Sequence, residues 1–583
     1  MIKDDDIKVI IERAKKEEHH TLRFENNSIK QYVLSKYTPK QDAISHIGEE
    51  KGNKQTTWII LGFALGYVVK ELLEKISDEL NIIVIEPNEE ILEAQMVYEE
   101  NEYLKSKENV HFLYGEINKE FTKKLAGLIP DGEIYNINIV SMKVYLAYYI
   151  KYFKEIKSTI KEIISNRIIN INTVKKYNEL YTQNIIKNRY AIEESYSLGE
   201  LKGKYRDIPA LIVSAGPSLS KNIEWIKDFK GLILVGNRTL APVIEQGVKP
   251  HLMFAVDPED IILDTTRGTM RDDIPLVAND NSNYKLVAAH PGKKYFINTE
   301  STAKSLLGVD IISGIPMGGS VATLCASVAA YMECNPIICI GQDCAYTDMK
   351  IYSSDCANTL FTDEMRNDSD FIWFDKVQID EYYGGKVWSS MDLVSFVRWF
   401  ENFIEANPQF TFINATEGGA YIKGAINKPF KDVVKEYQAE YIPDLSKYDK
   451  IVEVKESVDT YLDKISELLN KLVEESDKAM KISIELEKEY KLYKGKREAN
   501  IRKLIKRLDQ VDEALKESKE IGEVTAMIFS SLHNDHQLDM NTKAQINASE
   551  VEEGIRVSKE SYSLYSNIKE ASKRLIKLIE ENK

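Results

Sequence analysis

Six short segments in the middle of the chain combine glycine with hydroxyl, amide or carboxylate side chains, the residue types that hold a phosphate, a sugar or a base. The first is Ser214-Ala215-Gly216-Pro217-Ser218-Leu219-Ser220. Gly216 can let a ligand approach the backbone, Ser218 or Ser220 can cap a helix that follows, and the free amides of a helix start face a phosphate. The same residues also fit an ordinary capped turn around Pro217. The second is Gly236-Asn237-Arg238-Thr239, where Asn237 can bind a base, a ribose or a backbone amide, or close its own turn. The third is Asp257, which ends an apolar run before Pro258 and suits a ribose hydroxyl, a general base or a structural cap. The fourth, Gly318-Gly319-Ser320, stands before an apolar helix and forms an anion-receptive corner. The fifth is Gly341-Gln342-Asp343-Cys344-Ala345-Tyr346 and the sixth Asn414-Ala415-Thr416-Glu417-Gly418-Gly419. Each is weak alone, but all six fall at the exits of strands within one domain.

The elements that must position them alternate strand and helix with short turns, the pattern of a parallel sheet covered on both faces. Strands are predicted at Ala210–Ser214, Leu232–Gly236, Leu252–Asp257, Ile274–Ala278, Tyr295–Asn298, Ile337–Gly341 and Phe410–Asn414. Ligands of open α/β sheets bind at the carboxyl ends of such strands. Leu393, Phe396, Val397, Phe400, Phe403 and Ile404 recur at helical spacing and predict one apolar helix face.

This central part, residues 196–430, is flanked by two others. Residues 1–195 hold a predicted strand Trp58–Gly62, a helix Tyr67–Ile76 and a second strand Asn81–Glu86 ending in an acid. Glycines at a strand-to-helix turn followed by an acid about 20 residues on outline a dinucleotide or adenosyl site. The outline is thin, because Gly62 and Gly66 bracket bulky Phe63 and Leu65. The favoured reading is a Rossmann-like scaffold without a cofactor, ahead of a methyltransferase-like site. Residues 142–195 read as helices leading out of this part. Residues 431–583 show no convincing strand. Apolar residues such as Ile465, Leu468, Leu469 and Leu472 recur among dense Lys and Glu, which predicts a bundle of long amphipathic helices. Their charged faces serve solvation or the docking of a protein partner.

At 583 residues the chain exceeds one ordinary core. The net charge of −15 argues against general binding to nucleic acid or anionic lipid, while leaving room for a local basic pocket. The five cysteines, Cys325, Cys334, Cys339, Cys344 and Cys356, show no zinc-ligand pairing and no disulfide framework. That usage, with an N-terminus lacking signal-peptide character, fits a cytoplasmic protein. The uncharged run Ile311–Met332 is interrupted by Pro316 and Gly318-Gly319, so it reads as strand, turn and buried helix without membrane insertion.

Taken as a set, Ser214–Leu219, Gly236-Asn237-Arg238, Asp257-Pro258, Gly319-Ser320-Val321-Ala322, Gly341-Gln342-Asp343 with Tyr346, and Asn414–Gly419 resemble the motility-associated factor (Maf) glycosyltransferases. Ser35-Lys36-Tyr37 and the three-part layout are similar more loosely. The resemblance implies an α/β protein with a Rossmann-like, sialyltransferase-like central sheet, a smaller Rossmann-like domain before it and an all-α bundle after it. It implies a CMP-activated nonulosonic acid as donor, no required cofactor or catalytic metal, and flagellin Ser or Thr hydroxyls as acceptors. By the same analogy Gly216, Ser218 and Asn237 contact the CMP, and Ser214 and Pro217 belong to the donor-binding set. Gly319 and Ser320 stand near the donor carboxylate or phosphate. Asp343 and Tyr346 stand near the ribose or the leaving phosphate, and Gln342 and Asn414 belong to the same donor-binding set. A histidine base is common in sialyltransferase-like enzymes, and the central part holds only His251 and His290. His251 falls at the amino end of a strand and His290 before Pro291-Gly292, read as a surface turn, so Asp257 and Glu417 are the expected base candidates. Homo-oligomerisation through the helical tail is a further expectation.

Two rival readings also fit the sequence. The central part is also similar to an archaeal pterin diphosphokinase family that uses ATP and magnesium. A non-catalytic flagellin chaperone, with the helical tail as its binding element, is the reading from another class.

Overall fold

The computed structural model describes residues 8–25, 30–47, 56–77, 79–266, 269–298, 302–356, 376–492, 498–516 and 549–583. The chain divides into two compact units. One comprises Met1–Lys176, Leu472–Glu517 and Ile528–Ala571; the other comprises Tyr177–Lys471, Ser518–Met527 and Ser572–Lys583.

The first unit opens with an antiparallel sheet of β1 (Lys8–Arg13), β2 (His20–Glu25) and β3 (Lys30–Tyr32). A parallel sheet follows, made of β4 (Thr57–Leu61), β5 (Ile82–Glu86), β6 (Val110–Tyr114) and β7 (Ile137–Ser141) in the order β6-β5-β4-β7. The reversal of order beside β4 is the Rossmann arrangement. Every residue of β4 and β5 is buried, which is why both read as continuous apolar runs. The same unit holds a helical cluster around Ala479, Ile482, Leu486, Leu504, Val511, Tyr565 and Ile568.

The turn after β4 carries positive φ at Gly62, Ala64, Leu65 and Gly66. A Cβ on Gly62 would lie 2.5 Å from the Tyr145 ring, so an aromatic side chain occupies the space beyond this glycine. Glu86, the acid ending β5, is fully buried and accepts from the Phe63 amide (3.0 Å) and the Tyr145 hydroxyl (2.9 Å). The residues that outlined a cofactor site thus knit the turn to the sheet. Burial raises the Glu86 carboxyl to about 7.

Among the described residues the second unit is built on eight parallel strands: β8 (Ala210–Val213), β9 (Leu232–Gly236), β10 (Leu252–Ala255), β11 (Leu276–Asn279), β12 (Lys294–Ile297), β13 (Ile337–Ile340), β16 (Phe412–Asn414) and β17 (Ile426–Asn427). Their order is β12-β11-β10-β9-β8-β13-β16-β17. An antiparallel hairpin, β14 (Lys376–Asp380) and β15 (Lys386–Ser390), is inserted between β13 and β16. The chain winds outward from β8 through β12, then crosses back by the helix Val321–Tyr331 to β13 on the other side of β8. The topological switch point therefore lies between β8 and β13, where ligands of such sheets bind. The crossover helix has seven consecutive buried residues, Thr323–Ala329, so its apolar run is core. In the helix Met391–Ala406 the buried face is Val394, Val397, Phe400 and Phe403, with Leu393 and Phe396 only half-buried. Among the described residues no helix is long and apolar enough to cross a membrane. The five cysteines are buried and unbridged.

Candidate functional site at the switch point

The first, fifth and sixth segments meet at the exits of β8, β13 and β16. Ser214 at the end of β8 donates its hydroxyl to Gln342 Oε1 at 2.6 Å. Ser218 donates its amide to Asp343 Oδ2 (3.1 Å) and its hydroxyl to Asp343 Oδ1 (2.7 Å). Thr347 adds a third donor to the same carboxylate at 2.6 Å. Gly216 must be glycine here, because a Cβ would stand 2.3 Å from Asp343 Oδ2 and 2.5 Å from the Gly341 carbonyl. Pro217 completes the turn between them. From the sixth segment, Gly418 packs on the Ser218 hydroxyl and Gly419, at φ +72°, on the Asp343 backbone. The Thr416 hydroxyl accepts from the Gln342 amide at 3.1 Å.

This packing changes the expected role of Ser218. It precedes a helix of only four residues, Leu219–Asn222, and makes no side-chain cap to it. Its amide is spent on Asp343, and the Leu219 amide on the Gly216 carbonyl. The anion-receptive helix start foreseen at this corner is thus used internally; the carboxylate it holds belongs to the protein. Burial raises Asp343 above the usual carboxylate range, against the pull of the Thr347 and Ser218 hydrogen bonds.

The second, third and fourth segments form a neighbouring group. Asn237 is buried and donates to the Thr265 hydroxyl at 2.5 Å. Gly236 lies against Val321, where a Cβ would be 3.2 Å from Val321 Cγ1. The exit of β9 is thereby set beside the start of the crossover helix. Ser320 caps that helix, accepting from the Thr323 amide in a reciprocal box, while Gly319 takes φ +81°. The amides of Val321 and Ala322, in the helix's first turn, have no intrahelical acceptor. Asp257 accepts the Glu259 amide on Oδ1 at 2.9 Å. Burial pushes its carboxyl above the ordinary range, with that amide and, more weakly, Arg238 opposing.

A loop that carried no motif joins the two groups. Ser353 donates its amide to the Ala215 carbonyl (2.8 Å) and its hydroxyl lies 2.7 Å from that of Ser220. Tyr352, next to it, stacks against Arg238, with the guanidinium carbon 4.6 Å from the ring centroid. Thr347, Ser353 and Tyr352 escaped the sequence reading because isolated hydroxyls in polar loops carry no spacing.

Other expected site residues are spread around this centre. Glu417, at φ +58°, accepts the Phe430 amide on Oε1 at 2.9 Å, which opens the helix Phe430–Glu436. Asn414 is buried, accepts the Thr416 amide at 3.2 Å, and leaves its Nδ2 without a partner among the described residues. Tyr346 is half-buried, its amide bound to the Trp388 carbonyl and its ring 4.9 Å from Lys376 Nζ. His290 is corrected: at 2% exposure it is buried, with Nδ1 accepting the Gly292 amide, where a surface turn was expected. His251 accepts the Ile233 amide at 3.0 Å at the amino end of β10. Burial lowers both histidines to about 4.

Fold and site define an α/β protein with parallel sheets and a polar constellation at a topological switch point. Residues 7–169 match the family described as the glycosyltransferase Maf N-terminal domain. Residues 183–349 match the 6-hydroxymethylpterin diphosphokinase MptE-like family. Among solved structures the chain is similar to the MAf glycosyltransferase from Magnetospirillum magneticum AMB-1, at 13% identity and a TM-score of 0.60. That likeness covers 99% of this chain and 93% of the other, and concerns the fold. No curated protein sequence matches the chain. The N-terminal part thus matches the Maf glycosyltransferase N-terminal domain family, and the chain shares its fold with a Maf glycosyltransferase over nearly its whole length.

Proposed function

We propose that this protein transfers a nonulosonic acid of the sialic, legionaminic or pseudaminic type from a CMP-activated donor to Ser or Thr hydroxyls of flagellin. The observation that carries the reading is the convergence of Ser214–Ser218, Gly341–Asp343 and Asn414–Gly419 at the β8/β13 switch point. A rigid floor of this kind, beside a capped helix start, suits a nucleotide monophosphate.

In the proposed reaction the acceptor hydroxyl oxygen bonds to the anomeric carbon as the bond to the CMP phosphate breaks. The phosphate leaves with the electron pair, through an oxocarbenium-like transition state stabilised by positioned donors. The hydroxyl proton passes to a carboxylate base. Asp257 is the preferred candidate, since burial raises its carboxyl above its ordinary value and Oδ2 carries no hydrogen bond among the described residues; Glu417, whose Oε1 accepts the Phe430 amide, is the other. No cofactor or catalytic metal is part of this scheme. Flagellin as partner, and self-association, belong to the same proposal.

The match to the pterin diphosphokinase family favours a second reading, ATP-dependent diphosphoryl transfer. Thermal protection separates the two. Stabilisation by CMP or CTP and not by ATP supports sugar transfer; stabilisation by ATP with magnesium alone supports the kinase.

A further inference from the structure

Arg238 stands out among the cations at the strand exits because nothing among the described residues pairs with it. It follows β9 directly, is half-buried, and has no hydrogen bond or ion pair among the described residues. Asp257 feels its charge without reaching salt-bridge distance, and the Cys356 thiol feels it too. The Cys356 thiol, raised to about 12 by burial, is neutral at physiological pH and offers no counter-charge. Lys221, by contrast, is exposed and donates to the Glu417 carbonyl.

A guanidinium offers five donors in a planar fork that matches phosphate and carboxylate, and it holds its charge at any working pH. Leaving that fork unspent in a half-buried place forgoes interactions that a salt bridge would supply. The stack on Tyr352 fixes the guanidinium plane, which reduces the entropy lost when an anion is gripped. Tyr352 is itself held by its neighbour Ser353, bound to the Ala215 carbonyl of the first segment. Two residues before Arg238, Gly236 lies against Val321, so the capped start of the crossover helix belongs to the same corner.

We infer that Arg238 is the anion clamp of the central site, gripping the phosphate or the sugar carboxylate of the donor, with Tyr352 as the residue that positions it. This rests on the donor-binding reading above, and the experiment separates the two. Calorimetric titration of the full chain with CMP, cytidine, CMP-N-acetylneuraminic acid and ATP is compared for wild type, Arg238→Gln, Arg238→Lys, Tyr352→Leu and Tyr352→Phe. Far-UV circular dichroism confirms that each variant folds.

If the clamp holds the phosphate, Arg238→Gln weakens CMP roughly 10- to 100-fold and leaves cytidine unchanged. If it holds the carboxylate, CMP is unchanged and CMP-N-acetylneuraminic acid weakens by that factor. Tyr352→Leu should show a smaller loss that Tyr352→Phe restores, because the ring and not the hydroxyl does the positioning. Arg238→Gln binding every probe like wild type overturns the clamp and leaves the donor reading intact. Wild type binding ATP and not CMP, with ATP lost in Arg238→Gln, keeps the clamp and overturns the donor reading. Wild type binding none of the probes overturns both.

Discussion

The Ser218 amide and hydroxyl both donate to the Asp343 carboxylate, at 3.1 Å to Oδ2 and 2.7 Å to Oδ1, across the switch point between β8 and β13. Two loops 125 residues apart in sequence are locked by one buried acid. Asp343 is consequently a positioning residue, and its effect on binding runs through the loops it joins.

Asp343→Ala leaves the Ser218 amide without its acceptor and frees the Thr347 hydroxyl. We expect a loss of about 1–3 kcal/mol in urea unfolding and a parallel loss of CMP binding. Asp343→Asn, which retains one acceptor oxygen, should fall between wild type and alanine. Equal behaviour of wild type and Asp343→Ala would remove the locking role.

Gly216→Ala places a methyl 2.3 Å from Asp343 Oδ2 and 2.5 Å from a backbone carbonyl. Neither can retreat cheaply, so a destabilisation of about 1–3 kcal/mol is expected. Gly127→Ala, where a Cβ meets nothing within 4 Å inside the helix Lys119–Leu128, serves as control. It should be neutral or stabilising by about 0.5–1 kcal/mol.

Glu86 sets a pH dependence for the first unit. Its folded carboxyl sits near 7 because of burial, against 4.5 for the unconstrained group. The folded state therefore binds the extra proton between these values. Stability from this group is complete below pH 4.5 and is lost as pH rises through 7, by up to about 3 kcal/mol. Hydrogen exchange of β4 and β5 amides across this range should show the slope. Glu86→Gln should flatten it.

His251 and His290 act in the opposite sense in the second unit. Burial depresses both from 6.5 to about 4, so their contribution is present above 6.5 and lost as pH falls through 4. Exchange of β9–β12 amides should quicken on acidification, and a His251→Gln, His290→Gln double variant should respond less. Nor should either histidine shape a rate profile near neutrality, which leaves a carboxylate to set any acidic limb.

Much of the central sheet was legible because its strands are buried on both faces. β9 matches its predicted bounds, and β8, β10, β13 and β16 lie within theirs, whereas β11 and β12 are shifted by one or two residues. β1, β2, β3, β6, β7, β14, β15 and β17 were missed. Most of these are short, or mix charged and half-buried positions, as in the Lys376–Asp380 strand, and give no continuous run. The site was legible as segments and not as contacts. Five strand exits, those of β8, β9, β10, β13 and β16, could be read from glycine and polar residues, whereas Gly318-Gly319-Ser320, expected at a sixth, follows no strand and opens a helix. Nothing in the spacing showed that Ser218 would spend its donors on Asp343, or Glu417 its Oε1 on the Phe430 amide. His290 misled because Pro291-Gly292 marks a turn without marking its depth.

The most direct test of the central claim is the intact mass of flagellin co-expressed with this protein in cells that make a CMP-nonulosonic acid. Mass increases in steps of one nonulosonic residue are expected, lost with Asp257→Asn and diminished with Ser218→Ala, in variants that still fold. Flagellin of unchanged mass with every supplied donor, although the protein folds and binds flagellin, would contradict the claim.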